Sequence, residues 1–210
     1  FYDAQRDPND ATPISYGLNS KLVKENGKIY EDVYKSGGLY GEAIDQIIYW
    51  LEKANTVAEN DAQRNYTNLL INYYKTGDLN IWDEYNVAWV QDSVSMIDYV
   101  NGFIEDYGDP MGMKATWEAV VNFKDLEATK RSSIISQNAQ WFEDNSPVDE
   151  RFKKKECKGA TAKGIIVTTL AGDCFPAPPI GINLPNADWI RKEYGSKSVT
   201  ITNLMDAYDK

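Results

Sequence analysis

The sequence predicts an α+β fold, in which helices pack on a small mixed β-sheet or barrel core. Residues 40–92 repeat apolar side chains at helical spacing, with charged residues between them. Residues 97–121 change to the alternating, β-branched and aromatic pattern of strands, and another β-branched run begins at residue 164. Because the helices and strands are grouped along the chain, the order excludes a regular doubly wound sheet.

Three helices are predicted in the first half of the chain, over residues 40–58, 61–75 and 78–92. Residues 1–36 are rich in Asp, Asn, Pro and Gly, which indicates extended or irregular structure, with residues 16–24 the most ordered part. Gly77 follows the second predicted helix and is suited to end it.

The third predicted helix carries an aromatic stripe. Ile81, Trp82, Tyr85 and Trp89 fall on one face at helical spacing. This pattern favours helix-on-helix packing, and the alternative is a binding stripe.

The second half of the chain begins with a predicted strand pair. Residues 97–106 and 116–121 are joined by a Gly-Asp-Pro turn, which indicates a hairpin or a bent strand pair. The remaining predictions are a helix at 126–142, a polar connector at 143–163, a buried strand at 164–171, an edge segment at the prolines of 176–179, a short helix at 187–193 and a strand at 198–202.

Composition limits the chemistry of the chain. Acidic residues outnumber basic ones 32 to 22, which gives a formal charge of −10, and histidine is absent. Such a chain repels phosphate backbones, so we expect no nucleic-acid partner. Without histidine, a Ser-His-Asp triad and an HExxH zinc site are excluded within these residues. We therefore expect the chain itself to bind no metal or other cofactor.

The cysteines and apolar runs bear on the compartment. Two cysteines, Cys157 and Cys174, are too few for a disulfide framework, so we expect free thiols. A single disulfide between them is the alternative if the chain is secreted. The longest apolar run, residues 164–172, is too short for a membrane span, and no signal peptide is visible. These features favour a cytoplasmic over an exported protein. The chain starts with Phe rather than Met, so we expect an internal piece whose parent N-terminus is not seen.

The first candidate site lies in the segment GFIEDYGDP at 102–110. Glu105 and Tyr107 are two residues apart and would share one face of a strand. The carboxylate can hold an ammonium group, and the phenol can donate to a developing oxyanion. A half-exposed strand with polar residues facing solvent is the alternative.

The second candidate site is the segment PPIGINLPN at 178–186. The amides of Asn183 and Asn186 could fix a peptide terminus, and the preceding edge offers backbone groups to an added strand. Alternatively, Asn186 caps the helix that starts at residue 187. Both interpretations stay open at this point.

GFIEDYGDP followed by GINLPN at 181–186 resembles the dipeptidyl peptidase III family of zinc exopeptidases. Supporting segments are YGLNSKLVK at 16–24, WVQD at 89–92 and GSKSV at 195–199, so the resemblance spans about residues 15–208 in family order. It implies a parent protein that releases dipeptides from the free N-terminus of short peptides, with zinc held by HExxGH and a later Glu. Neither motif is in this chain, so the isolated chain is expected to be inactive.

The resemblance also implies roles for individual residues. Tyr107 would be catalytic, donating to the scissile carbonyl and its oxyanion. Glu105, Asn183 and Asn186 would hold the α-ammonium group and first residue of a peptide substrate. The other expected substrate contacts are Trp89 lining the cleft, Arg191 at the far end of the substrate, and the edge-strand backbone of Pro179, Ile180, Gly181 and Ile182.

Three regions follow from the same resemblance. Residues 1–123 would form lower-lobe helices and the first core strands, residues 124–154 a helical excursion toward the upper zinc lobe, and residues 155–210 the return to the core strands. The expected partners are short peptides and the remainder of the parent chain, which would hold the zinc.

Two other interpretations are open. The chain could be a non-catalytic module that binds peptide or carbohydrate, or part of a parent that joins a nudix hydrolase to a peptidase. No nudix-box glutamates at helical spacing occur in these residues.

Overall fold

The computed structural model describes residues 1–157 and 161–208. Its helices are α1 (Gly41–Asn55), α2 (Asp61–Thr76), α3 (Leu79–Gln91), α4 (Leu126–Gln137), α5 (Ala139–Asp144), α6 (Asp188–Glu193) and α7 (Thr202–Tyr208). Its strands are β1 (Ser20–Glu25), β2 (Lys28–Val33), β3 (Ile97–Glu105), β4 (Thr116–Asp125), β5 (Thr161–Gly172), β6 (Gly181–Leu184) and β7 (Lys197–Ile201). The α+β class predicted from the sequence is confirmed.

The three helices of the first half form where the apolar periodicity predicts them. Local signals set their ends: the Asn60 side chain accepts a hydrogen bond from the Gln63 backbone N–H, which caps α2. Gly77 adopts the left-handed conformation after α2, as predicted.

The main sheet has five strands in the order β3-β4-β5-β7-β6. Neighbours pair in antiparallel fashion except β5 and β7, which are parallel. The short strand β6 lies at one edge, directly after the proline-rich segment, so the edge predicted at residues 176–179 falls instead on residues 181–184. Its position leaves one side of the β6 backbone without a strand partner in the sheet.

The aromatic stripe of α3 lies in the core between α2, α3 and the sheet. The Trp82 ring packs 4.9 Å from that of Tyr73 on α2 and 5.1 Å from that of Tyr85. A Cβ on Gly102 in β3 would lie 2.6 Å from the Trp82 ring, so only glycine lets the sheet approach the helix this closely. Core packing is therefore confirmed for these side chains, and the Trp82 ring in addition borders a cavity.

A buried ion pair joins β7 to β3 beneath α3. Lys197 is 1% exposed, and its Nζ lies 2.8 Å from Asp98 Oδ2 and 4.3 Å from the Trp89 ring centroid. The Trp89 indole N–H donates to Asp98 Oδ1 at 2.9 Å. This contact fixes the edge of the sheet that carries β6 against the helices.

Parts of the chain differ from the sequence predictions. Residues 20–33, predicted only as extended or irregular, form the hairpin β1–β2, because Asn26 and Gly27 both adopt positive φ and make a tight turn between two paired strands. The single helix predicted at 126–142 divides at Asn138 into α4 and α5. Helix α7 was not predicted. Residues 158–160 of the predicted connector lie outside the described residues.

Candidate functional site

The structure brings Glu105 and Asn186 into direct contact, although 81 positions separate them in the chain. The Asn186 Nδ2 donates to Glu105 Oε2 at 3.0 Å. Glu105 is the last residue of β3, and Asn186 lies between β6 and α6. The two segments that carry the family resemblance therefore form one site.

The spacing of Glu105 and Tyr107 predicted that the two side chains share one face of a strand. In the structure they do not. A bulge interrupts the pairing of β3 between Phe103 and Glu105, and β3 ends at Glu105, so Tyr107 lies in the following turn. The phenol is 86% exposed, and the neighbouring Glu105 charge raises the pKa of Tyr107. An exposed phenol that keeps its proton can act as a hydrogen-bond donor.

The loop that follows the Tyr107 turn is held by the Asp109 side chain. Its Oδ2 accepts from the backbone N–H groups of Met113 and Lys114 at 3.0 and 2.9 Å. These hydrogen bonds lower the pKa of the Asp109 carboxyl. The Asp109 side chain thus orders residues 109–114, directly after the turn at Tyr107.

The prediction that Asn186 caps the following helix is wrong. Ala187 occupies the N-cap position of α6, and no side chain caps that helix. The Asn186 amide turns to Glu105 instead. Of the two earlier interpretations of Asn186, the one that remains is a side chain that belongs to a polar site.

Two cavities meet at Glu105, Tyr107 and Asn186. We call the first the edge cavity, which has a volume of about 520 Å³ and lies along β6. We call the second the inner cavity, which has a volume of about 620 Å³ and extends beneath α3 and α6. The three polar side chains thus stand at the junction of two spaces, each large enough for part of a peptide.

The edge cavity contains most of the predicted substrate contacts. Its walls include Pro179, Gly181, Ile182, Asn183 and Arg191. The Ile180 side chain is not in this wall, and its carbonyl accepts from the Ile201 N–H at 2.8 Å. An extended segment lying here would run beside the unpaired side of β6.

Carboxylates dominate the charge of the edge cavity. Glu118 and Asp173 line it together with Glu105, and burial raises the pKa of Glu118. The Cys174 thiol donates to Glu118 at 3.3 Å, and burial raises the pKa of Cys174 to about 12. A cationic group is therefore favoured in this cavity, and the cysteine stays a protonated thiol.

The inner cavity has a carboxyl group that sequence reasoning missed. Asp83 on α3 is 6% exposed and lines this cavity with Trp82, Asn86 and Trp189. Burial raises the pKa of Asp83 to about 7. The periodicity of α3 gave no signal for this residue, because a polar side chain beside an aromatic stripe is normally read as solvent-facing.

Trp89 does not line the cleft, contrary to the prediction. It is 4% exposed and belongs to neither cavity wall, because its indole N–H is directed to Asp98 in the core. Its place beneath the site, against Lys197, makes it a structural contact.

The part of the chain that the structure describes contains no group of three or more His, Cys, Asp or Glu residues that could hold a metal ion. These residues therefore do not fit a zinc site. Both cysteines are free thiols, as predicted. No helix among the described residues is long and apolar enough to cross a bilayer.

The profile of peptidase family M49 matches residues 15–210. The chain belongs to this peptidase family. The resemblance to dipeptidyl peptidase III seen in GFIEDYGDP and GINLPN is thereby confirmed. The relatives of this M49 chain include proteins named dipeptidyl peptidase 3 from Dictyostelium discoideum, 28% identical over 84% of the chain, and from Homo sapiens, 27% identical over 80%.

These alignments cover only part of each relative. The matched segment is 26% of the Dictyostelium protein and 22% of the human one. An Arabidopsis thaliana protein named nudix hydrolase 3 is 25% identical over 94% of the chain, which corresponds to 25% of its own length. The M49 chain thus spans about a quarter of the curated relatives it matches.

Solved structures support the fold. Dipeptidyl peptidase III from Caldithrix abyssi superimposes with a TM-score of 0.83 and 24% identity, covering 92% of this chain and 37% of its own. The enzyme from Corallococcus superimposes with a TM-score of 0.77 and 20% identity, covering all of this chain and 38% of its own. At these identities the likeness concerns the fold.

Proposed function

We propose that this chain is the substrate-binding part of a dipeptidyl peptidase that releases dipeptides from the N-terminus of short peptides. The observation that carries the proposal is the Asn186–Glu105 contact, placed where the edge cavity and the inner cavity meet. Membership of a peptidase family and the names of the relatives support peptides as the substrate class.

The α-ammonium group of the peptide binds at the junction. Glu105 supplies a carboxylate, and the amide oxygens of Asn186 and Asn183 supply further acceptors. Because a free N-terminus carries a positive charge at neutral pH, the surplus of carboxylates here favours it over a blocked one. This preference makes the site one for an exopeptidase.

The peptide backbone lies along β6 in the edge cavity. Gly181 and Ile182 are on the open edge of the sheet and can add the peptide as a further strand. Arg191, also in this wall, can meet the far end of the peptide. Anchoring the N-terminus at the junction then sets how many residues precede the cleaved bond.

Tyr107 is the catalytic residue of this part of the chain. Its exposed phenol stands beside the proposed ammonium site and donates a hydrogen bond to the scissile carbonyl oxygen as that oxygen gains charge. The zinc implied by the family resemblance would be held elsewhere in the full-length protein, because the described residues do not fit it.

Tyr107→Phe in the full-length protein tests the catalytic role. We expect kcat for a dipeptidyl arylamide to fall by about 10²–10³, as for other lost oxyanion donors, with KM changing little. Tyr208→Phe is the matched control, because its phenol is similarly exposed on α7, away from the two cavities. Unchanged kcat in the Tyr107 variant would overturn the assignment. Peptide binding without any turnover in the wild type would favour a non-catalytic binding module.

A further inference from the structure

A groove with apolar walls lies between α1 and the strands β3 and β4, outside the proposed peptide site. Its volume is about 510 Å³, and its described walls share no residue with the edge cavity or the inner cavity. Ile47 and Trp50 come from α1, Ile97 and Tyr99 from β3, and Val121 from β4. We call this space the α1 groove.

The α1 groove leaves large apolar side chains in contact with solvent. Trp50 is 66% exposed, Val57 is 78% exposed and Ile97 is 52% exposed, and all three belong to its walls. A contiguous apolar surface of this kind normally marks an interface. The part of the chain that the structure describes leaves the groove open, so its occupant comes from elsewhere.

The hydrogen-bonding groups of the chain at the start of β3 are already paired. The Glu59 carboxylate accepts from the backbone N–H groups of Met96 and Ile97 at 2.9 and 2.6 Å. The Gln63 amide donates to the Ile97 carbonyl at 2.9 Å. An occupant therefore gains no backbone hydrogen bonds at this end of the strand. It has to pack through apolar side chains, as one face of an amphipathic helix does.

We propose that an amphipathic helix from outside residues 1–210 covers the α1 groove in the full-length protein. This chain corresponds to 26% of the Dictyostelium relative and 22% of the human one, so proteins of this family have much further chain to supply the helix. A segment of the same polypeptide is present at the groove at a high effective concentration. The inference goes beyond the proposed function, because it does not depend on the peptide site.

Charge makes a second copy of this chain a poorer occupant of the groove. Each copy carries a formal charge of −10, so two copies repel each other. The described wall of the groove contains no Lys or Arg that could offset this repulsion. The covering helix instead adds a layer to β3, the strand that ends at Glu105.

Cysteine labelling of the full-length protein tests whether the groove is covered. Trp50→Cys places a thiol in the groove. Tyr49→Cys, the control, places one at the preceding position of α1, where the side chain is 48% exposed and lies outside the groove wall. We expect a maleimide to react about tenfold or more slowly at position 50 than at position 49, because a covered thiol reacts only when the helix moves away. Mass spectrometry of the labelled peptides separates these two positions from other cysteines.

Dilution then identifies the occupant. Labelling is repeated at a high and a low protein concentration. Slow labelling of position 50 at both concentrations supports a helix of the same polypeptide. Slow labelling that is lost on dilution would identify a second copy and overturn the proposal. Equal rates at positions 49 and 50 would show an open groove, which also overturns it.

A measurement on the wild type needs no variant, and it decides the question if Trp50→Cys does not fold. Hydroxyl radicals oxidise tryptophan side chains that solvent can reach. We expect Trp50 to be oxidised about tenfold less in the native full-length protein than in the same protein unfolded in urea. Oxidation to a similar extent in both states would contradict the cover. Turnover of a dipeptidyl arylamide, measured separately, tests the proposed function, so the two proposals can fail independently.

Discussion

A charged carboxylate at the junction of two cavities is the central residue-scale feature of this chain. Asn186 donates one hydrogen bond to Glu105 Oε2, and the Tyr107 phenol is close enough for Glu105 to raise its pKa. In the proposed function, the remaining acceptor positions of this carboxylate bind the ligand. The amide thereby orients the carboxylate without neutralising its charge. In the proposed function, a peptide ammonium group binds Glu105 beside this amide.

Glu105→Gln measures what that charge contributes. Loss of a hydrogen bond between charged groups is expected to weaken binding of a free-amine peptide by about 10–100-fold, while an N-acetylated peptide should lose little. The measurement is the Kd of both peptides for the wild type and the variant. Asp106→Asn, the same loss of charge at the next position, is the control. An equal loss in that control would mean that the general field of the cavity, rather than Glu105, attracts the amine.

At the residue scale, the sequence predicted the site correctly where side-chain chemistry and the family motif indicated the same residues. Glu105 and Asn186 were predicted to share a site, and the structure places them in contact. Asp83 was missed, because spacing along α3 does not reveal that this side chain is buried at the wall of the inner cavity. Trp89 was misplaced for a similar reason: the core carboxylate that receives its indole N–H lies on β3.

At the scale of elements, the site depends on how closely α3 lies on β3. Gly102 permits this approach, since it has a φ of 157° and its missing Cβ leaves room for the Trp82 ring. The predicted alternation of β3 placed Gly102 in a strand but could not show which ring lies over it. Local signals indicate the ends of elements more reliably: Gly77 ends α2, and the Asn-Gly pair at 26–27 makes the turn between β1 and β2.

Gly102→Ala tests this close approach. The added methyl group would meet the Trp82 ring at 2.6 Å, so the free energy of unfolding is expected to fall by about 1–3 kcal/mol. Chemical denaturation of the wild type and variant gives the difference. Gly108→Ala is the control, because no atom lies within 4 Å of its added Cβ. Equal stability of Gly102→Ala and the wild type would show that the helix shifts away without cost.

At the scale of the whole molecule, the chain closes on itself through contacts between distant segments. Lys197 on β7 meets Asp98 on β3 across 99 positions, and β7 in turn pairs with β6. This connection links the helical layer to β6, the edge strand along which the proposed peptide would lie. Composition and periodicity could not predict it, because a lysine near the end of the chain normally reads as a surface residue.

Removing one member of this pair is expected to damage the fold more than removing both. Lys197→Met would leave Asp98 charged and buried beside Trp89, at a cost of about 3–5 kcal/mol in unfolding free energy. Adding Asp98→Asn to that variant removes the stranded charge, so the double variant is expected to recover part of the loss. Denaturation followed by tryptophan fluorescence measures the unfolding free energy of the wild type, the single variant and the double variant. Trp89 reports on this region, since the Lys197 ammonium lies over its ring.

An ion pair on the surface provides the reference for the comparison of these Lys197 and Asp98 variants. Lys75 and Glu52 make an ion pair of the same length, 2.8 Å, but both side chains are about half exposed. Lys75→Met is expected to cost at most about 1 kcal/mol, because water solvates the remaining carboxylate. If Lys197→Met costs no more than Lys75→Met, the buried pair does not hold β7 and β6 against the helices, and another contact must position the open edge of β6.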